Sequence, residues 1–475
     1  MTIGQHPQRA WITWALIAAA ACLIAYAVVL QWLSQGLTPA TPILERPLIP
    51  FTAASVVAGM VFWLLVLAAP SLGQGRFPII GVLLVGLAMR LVLFPSAVIR
   101  EDDHFRYLLD GAMVANGFDP YALQPKAVRE GAGPLAIPED VRRDVIQHIN
   151  HPELTTIYPP GALAAFALAH WIAPWELTGL RIVFLLCDLL GFLITLRLLT
   201  ALSLPRLWVV FYWWNPLTLA QVYNHLHFEV MLFPAILGAL YFSASGLRTA
   251  AAAALALAAG IKVWPALMLG PLLWQDRERV MVMAARAAMA SAIIGILLLP
   301  LLATALERDS GLGAYASRWL FNDPLLALLA GLAPEGAGQT LFRATLAGVA
   351  AGTALWVSYR TAQGPHALAQ ACFLIALVVF ALSPAKFPWY ALWLAPFLAL
   401  IPSLPVAALM ATMPIYYLWF WFDPRGQGQF YLDAVAWAQY VPVLVIIAFG
   451  IFVPQLRIVP RVSRPQGQSR HPRAQ

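Results

Sequence analysis

The sequence predicts an all-α polytopic integral membrane protein, and two observations carry that prediction. Of the 475 residues, 61% are hydrophobic and only 11% are charged, and the mean hydropathy of +0.75 lies well above that of a water-soluble domain of this size. Apolar runs of roughly 17 to 25 residues recur along the chain, each long enough to cross a bilayer as a helix. We therefore expect one transmembrane domain, residues 1–475, with about 12 spanning helices and a few short re-entrant or interfacial helices.

The charge distribution orients the chain in the bilayer, which is the expected partner. The net charge is +7, and part of the excess lies in a basic tail, residues 456–475, that contains five arginines and no acidic residue. Because positive charge favours the cytoplasmic side, the tail and the N-terminus with Arg9 are both predicted to be cytoplasmic. Because much of the positive excess lies in this tail, no nucleic-acid partner is predicted. The three cysteines lie far apart within apolar runs, which favours packing over disulfides or a zinc site.

The first three helices are predicted at residues 11–33, 51–70 and 77–97. The first run is too long for the core of a signal peptide, so we interpret it as a retained helix. This arrangement leaves residues 98–158 on the external side as the longest polar segment of the chain, rich in Asp, Glu, Pro and Gly. We expect this loop to contain short helices that lie on the membrane surface.

The middle of the chain requires shorter elements. The run 161–173 is short for a span, so we interpret it as re-entrant or interfacial, and we expect 181–200 to cross inward. Helices are then predicted at 206–222 and 226–245, and the turn between them is predicted to be external. That turn contains Asn224, His225, His227 and Glu229.

A lone lysine follows in a segment whose length fits a single span. Both ends of this segment, near Arg248 and Arg277, are nevertheless predicted to be cytoplasmic. Two half-length helices that meet near Gly260, Ile261 and Lys262 satisfy both ends. They put Lys262 at membrane depth, where its charge requires an anionic partner or a nearby interface. Further spans are predicted at 281–304, 339–359, 366–382, 387–402, 405–421 and 434–454, with external loops containing residues 315–323, 386–390 and 423–433.

Three consecutive carboxylates, Glu101, Asp102 and Asp103, begin the long external loop. If a helix follows, Asp103 shares one face with residues three, four and seven positions later. These residues are Arg106, Tyr107 and Asp110. A salt-bridged surface helix with this pattern would gain only a few tenths of a kcal/mol. A base, a cation and a second acid on one face also suit a reaction site, and both interpretations stay open.

Other polar and aromatic groups gather on the same predicted side. They are His151, Glu153, Tyr158, His225, His227, Lys386, Trp389 and Tyr390. A metal site at His225, His227 and Glu229 is disfavoured because an H-x-H pair on a helix does not share a face, so no metal ligand is predicted. Trp389 and Tyr390 suit either an interfacial aromatic belt or a pocket for a sugar or lipid phosphate.

Short motifs follow one another along most of the chain. They are Asp103-x-x-Arg106-Tyr107-x-x-Asp110-Gly111, Gly117-x-x-Pro120-Tyr121, His151-Pro152-Glu153, Tyr158-Pro159-Pro160, Asn215-Pro216 with His225, Gly260-Ile261-Lys262, Trp319-x-Phe321-Asn322 and Phe387-x-Trp389-Tyr390. In this order they resemble the polyprenyl-phosphate-sugar-dependent glycosyltransferases of the GT-C fold. The resemblance is to the mannosyltransferase-like branch related to family 87.

The resemblance implies that the external loop, residues 98–158, is catalytic. A hexose, mannose by preference, would move from a polyprenyl-phosphate sugar donor to a glycan or glycolipid acceptor, with inversion, on the extracytoplasmic face of a bacterial inner membrane. Asp103 matches the family position of the base best, and Asp102 is the alternative. Candidate substrate-binding residues are Arg106, Tyr107, Asp110, Tyr121, His151, Tyr158, His225, Lys262, Lys386, Trp389 and Tyr390. No cofactor is certain, and a divalent cation is the one candidate.

The leaving phosphate needs positive charge more than it needs an acid. Lys262, together with Arg106, His225 or Lys386, would supply that charge. Two other functions stay open. In a multispanning transporter or lipid flippase, Lys262 and the external carboxylates would couple to substrate movement, although the charged groups concentrate on one side. A lipid-linked glycan ligase would share the side and the lipid but use a pyrophosphate donor.

Overall fold

The computed structural model describes residues 6–72, 77–133, 135–304, 310–311, 313–314, 321–334 and 336–459, with side chains from residue 11 onward. Tyr315, Trp319 and residues 460–475 of the basic tail lie outside the described residues, so the predictions made for them stay predictions. The described residues are helical, apart from loops and an isolated bridge between Phe321 and Ala385.

The helices are numbered here in chain order. They are α1 His6–Leu33, α2 Leu48–Leu67, α3 Ile79–Val92, α4 Asp103–Ala115, α5 Pro160–Ile172, α6 Leu177–Ala201, α7 Arg206–Asn224, α8 Phe228–Ala244, α9 Arg248–Ala259, α10 Trp264–Trp274, α11 Val280–Thr304, α12 Pro324–Gly331, α13 Ala337–Arg360, α14 Pro365–Leu382, α15 388–398, α16 Leu404–Arg425 and α17 Gly428–Phe449. Shorter helical turns lie at Ile43–Glu45, Ala69–Leu72, Pro125–Arg129, Glu139–Asp144, Ile146–His148 and Pro454–Leu456.

Eight of the described helices are long and apolar enough to cross a membrane. They are α1 from Trp11, α2, α6, α11, α13, α14, α16 and α17. The helices α7 and α8 bend by 112° at their junction and make a ninth if they form one span. The prediction of a polytopic all-α membrane protein is therefore confirmed. The expected number of about 12 spans was larger in part because it counted α3 as a span. Helix α3 ends before Pro95, since the helical conformation is disfavoured for the residue that precedes a proline. It is therefore one of the shorter apolar helices.

The expected break near Gly260 separates α9 from α10. The amide of Gly161, in the first turn of α5, donates a 2.8 Å hydrogen bond to the carbonyl of Gly260. This bond ties the break to the start of a helix that itself packs on α4. The α4–α5 contact is close because a side chain at Gly111 would collide with the backbone of Phe166. Helix α5 therefore connects α4 to the break that contains Lys262.

A buried ion pair joins α3 to α6 and was not predicted. Nε of Arg90 lies 2.8 Å from Oδ2 of Asp188, and both side chains are at most 1% exposed. The Arg90 guanidinium also lies 3.4 Å from the ring centroid of Trp213, and Tyr223 donates a 2.8 Å hydrogen bond to Asp188. The pair therefore anchors α7, which carries Trp213 and Tyr223, against α3 and α6.

Candidate active site

The candidate site is centred on Asp103, the first residue of α4. Its Oδ2 lies 3.7 Å from Nδ1 of His227, in the bend between α7 and α8. The Asp103 side chain keeps 27% of its surface exposed, whereas the His227 side chain is fully buried. The carboxylate is therefore the member of this pair that a substrate can reach.

A lysine–glutamate ion pair lies close to this carboxylate. Lys262, in the break between α9 and α10, pairs with the buried Glu229 at the start of α8. The Lys262 ammonium also lies 4.6 to 5.1 Å from the centroids of three aromatic rings, those of Phe228, Tyr390 and Trp393. Cation–π attraction and the ion pair both hold the ammonium in position. The expectation of an anionic partner for Lys262 is met by Glu229.

Stacked aromatic rings hold the histidine of the site. His227 stacks on Trp389, with centroids 3.8 Å apart and an interplanar angle of 14°. Trp389 in turn stacks on Phe387, with centroids 4.5 Å apart. Neither ring nitrogen of His227 has a hydrogen-bond partner within the described part of the chain. The imidazole is thus fixed by stacking, with Nδ1 directed toward Asp103.

The electrostatic environment raises the pKa of Asp103 to about 7. Burial is the largest cause because it disfavours the charged carboxylate, and the negative charges of Asp102 and Glu229 add to it. The positive charge of Lys262 opposes these effects. A carboxyl group with a pKa near neutrality is suited to accept a proton in catalysis.

Arg106 and Asp110 fasten the rest of the loop to α4. Nη2 of Arg106 donates hydrogen bonds to the carbonyls of His151, at 3.2 Å, and Leu154, at 2.9 Å. Thr156 donates a 2.6 Å hydrogen bond to Oδ2 of Asp110. Both residues are buried. The shared helix face that the spacing predicted therefore holds residues 151–156 against α4, and their predicted substrate-binding roles stay untested.

The predicted tyrosines form one aromatic group beside the site. Tyr107 stacks on Phe166 at 4.5 Å, and Tyr158 meets Tyr107 and Phe228 edge to face at 5.1 and 5.4 Å. The hydroxyl of Tyr121 donates a 2.6 Å hydrogen bond to the carbonyl of Tyr158. Because Phe228 also lies under the Lys262 ammonium, this group connects the loop to the ion pair.

Asp102 and His151 lie at the outer edge of the site. Asn150 donates a 2.7 Å hydrogen bond to Oδ1 of Asp102. The His151 side chain is half exposed, with Nδ1 3.7 Å from Glu153. Asp103, by contrast with Asp102, also lies beside His227.

Two of the residues predicted to bind the donor phosphate, His225 and Lys386, contact polar partners other than Asp103. Nδ1 of His225 lies 2.8 Å from the hydroxyl of Tyr417, which also donates to Gln221 at 2.8 Å. Lys386 pairs with Asp323, and both are buried. The positive charge of Lys262, by contrast, opposes the rise in the pKa of Asp103.

The site contains two residues whose roles sequence reasoning missed. His227 and Glu229 were considered from the sequence only as ligands of a disfavoured metal site. The sequence did contain an indication of their roles. Both residues lie in an otherwise apolar segment, where a charged or polar side chain needs a partner. Within the described ranges, no group of three or more His, Cys, Asp or Glu side chains is arranged to hold a metal ion.

Part of the chain is similar to a known protein family. Residues 156–384 match the model of glycosyltransferase family 87. The matched range includes His227, Glu229 and Lys262 but begins after Asp103. No match was found among curated proteins or among solved structures.

Proposed function

We propose that the chain is a membrane glycosyltransferase of the GT-C type, because residues 156–384 match the model of glycosyltransferase family 87. The enzyme transfers a hexose, mannose by preference, from a polyprenyl-phosphate donor to an acceptor hydroxyl. Transfer inverts the anomeric centre and takes place on the extracytoplasmic face of a bacterial inner membrane. Asp103 is the base.

One observation carries this proposal. The partly exposed Asp103 carboxylate, with its pKa raised to about 7, lies 3.7 Å from His227 and close to the Lys262–Glu229 ion pair. The site therefore combines a proton acceptor with a nearby cation, which are the two groups that displacement of a phosphate by an alcohol requires.

The proposed step is a single displacement at the anomeric carbon. The acceptor oxygen forms a bond to this carbon while the bond from the carbon to the phosphate oxygen breaks. The proton of the acceptor hydroxyl passes to Asp103, and the bonding electron pair leaves with the polyprenyl phosphate. His227, stacked on Trp389, lies beside the carboxylate, and Lys262 stabilises the charge that develops on the phosphate.

The pH dependence of transfer tests the base. Because the carboxylate must be deprotonated to accept a proton, we expect the rate to rise with pH to a midpoint near 7 and to level off above it, with a loss of about tenfold per pH unit below the midpoint. Asp102→Asn should lower this midpoint, since the charge of Asp102 helps to raise the pKa of Asp103. Loss of all transfer in Asp102→Asn would instead assign the base to Asp102.

The role of Lys262 is tested by separating the two substrates. We expect Lys262→Ala to raise the KM for the donor by about tenfold or more, with a smaller change in the KM for the acceptor, because the ammonium is proposed to contact only the donor phosphate. Steady-state kinetics with each substrate varied in turn measures both. Equal changes in the two constants would contradict the phosphate contact. Lys126→Ala, in the helical turn Pro125–Arg129, is the matched control and should change neither constant.

The lipid-linked glycan ligase is distinguished by its donor. Purified protein is assayed with a polyprenyl-monophosphate hexose and with the corresponding pyrophosphate, at equal concentrations. We expect product from the monophosphate. Product from the pyrophosphate alone would identify a ligase.

A further inference from the structure

A cavity of about 630 Å³ lies beside the N-terminus of α4. Its walls come from the α1–α2 loop, the segment that leads into α4, the end of α16, and parts of residues 144–177. Asp102 lines the cavity, and Asp103 follows it directly in the chain. The volume falls within the range of roughly 300–1,000 Å³ that is usual for small-molecule sites.

The cavity wall offers both hydrogen-bond donors and acceptors. Arg100, Glu101 and His104 line the cavity, and each also carries a buried polar atom, respectively Nε, Oε1 and Nδ1, with no hydrogen-bond partner within the described part of the chain. Burial raises the pKa of Glu101 to about 8, so this carboxyl is largely protonated at neutral pH and can donate as well as accept. A ligand with hydroxyl groups, which also donate and accept, matches such a set better than a phosphate, which mainly accepts.

Aromatic side chains supply the apolar part of the wall. Phe105, Trp175, Trp419 and Phe420 line the cavity. The guanidinium of Arg100 lies over the ring of Phe420, 3.7 Å from its centroid. Aromatic rings beside mixed hydrogen-bonding groups suit a ligand with one apolar and one polar face, and a pyranose ring has both.

The charge of the cavity does not favour an anion. The guanidinium of Arg46 is already occupied, because it donates hydrogen bonds to four backbone carbonyls. These are the carbonyls of Thr38, Thr41, Val98 and Ile99. Asp102 lines the interior, and the exposed Asp144 and Asp423 line the rim. The single remaining cation in this described cavity, Arg100, therefore faces several carboxyl groups.

We propose that this cavity binds an uncharged sugar unit of the acceptor and holds its hydroxyl at the N-terminus of α4. This inference rests on the proposed function, since it assigns the acceptor side of the same reaction. The Lys262 side of Asp103 then serves the donor phosphate. The acceptor in the cavity and the donor beside Lys262 then approach the Asp103 carboxylate from different sides, as a single displacement requires.

Filling the cavity tests the assignment. Ile43 lines it and lies next to Leu44, which is exposed and does not line it. Ile43→Trp should therefore occupy the cavity, while Leu44→Trp is a matched control in the same helical turn. Trp175→Asn is a second variant that removes an aromatic ring from another segment of the wall. Asparagine suits the positive φ of 63° at that position.

The measurement uses the full chain in lipid nanodiscs, which avoids sugar-bearing detergents. The acceptor probe is octyl α-D-mannoside, and the donor is a short-chain polyprenyl-phosphate mannose. We expect Ile43→Trp and Trp175→Asn to raise the KM for octyl α-D-mannoside by about tenfold or more and to leave the KM for the donor within about twofold. Leu44→Trp should change neither constant. A rise in the donor KM instead, or no change in either constant for folded variants, would overturn the proposal.

Equilibrium binding of octyl α-D-mannoside without donor separates the cavity from the reaction. Weaker binding to both cavity variants supports the cavity even if the wild type gives no product, in which case the proposed function is what fails. Unchanged binding to both variants would overturn the cavity, whatever the outcome of the transfer assay.

Discussion

Replacing Asp103 with asparagine is expected to lower the rate of hexose transfer by about 10²- to 10⁴-fold, the usual contribution of a general base. The amide is nearly the same size as the carboxylate but cannot accept the proton from the acceptor hydroxyl. Donor binding should persist because Lys262 and Glu229 are unchanged. Transfer is measured by product formation from labelled donor, and donor binding is measured separately on the same preparation.

A matched control for this substitution lies in the same loop. Asp140, in the turn Glu139–Asp144, is exposed, and Asp140→Asn should leave the transfer rate within about twofold because it is remote from the described cluster. Turnover at the wild-type rate in Asp103→Asn would contradict the assignment of the base.

Breaking the buried ion pair should give the largest effect on stability. Asp188→Asn leaves the guanidinium of Arg90 buried without a counter-charge, and we expect it to lower the free energy of unfolding by about 3–5 kcal/mol. Denaturation of the purified protein in mild detergent measures this change. Asp144→Asn is the control, because Asp144 pairs with Arg143 on the exposed surface, and it should leave the midpoint unchanged.

The double variant Arg90→Met/Asp188→Leu distinguishes an uncompensated charge from a packing defect. Replacing both members of a buried ion pair by apolar residues of similar size is often neutral or stabilising. We therefore expect this variant to recover most of the stability lost in Asp188→Asn. A double variant as unstable as the single one would show that the ion pair is not the reason for the loss.

The long spans were predictable from the sequence because a bilayer requires length and apolar composition, both of which are local properties. The prediction at 281–304 and the observed α11, Val280–Thr304, differ by one residue. The break near Gly260 was also predictable, since the basic residues at both ends of the segment exclude a single span. The irregular course of α7 was not, because its π-helical turn at Leu219–Asn224 accompanies long-range contacts such as that between Tyr223 and Asp188.

The site was predictable only in part. The family resemblance singled out Asp103, and membrane depth singled out Lys262, but the partners of both are set by tertiary contacts. The choice between His225 and His227 could not be made from the sequence. The bend between α7 and α8 directs His227 to Asp103 and His225 to Tyr417. The spacing of Arg106 and Asp110 correctly predicted a shared face, yet their contacts with residues 151–156 lie more than 40 positions away.

Transfer of labelled hexose by the purified protein tests the central claim most directly. The protein is reconstituted in sealed lipid vesicles with a polyprenyl-phosphate mannose labelled in the sugar, and with an acceptor glycoside. We expect the label to appear in a new glycosidic product whose anomeric configuration, determined by NMR, is opposite to that of the donor. Accumulation of unmodified labelled lipid or solute across the vesicle membrane, with no glycosidic product, would contradict a transferase and identify a transporter or flippase.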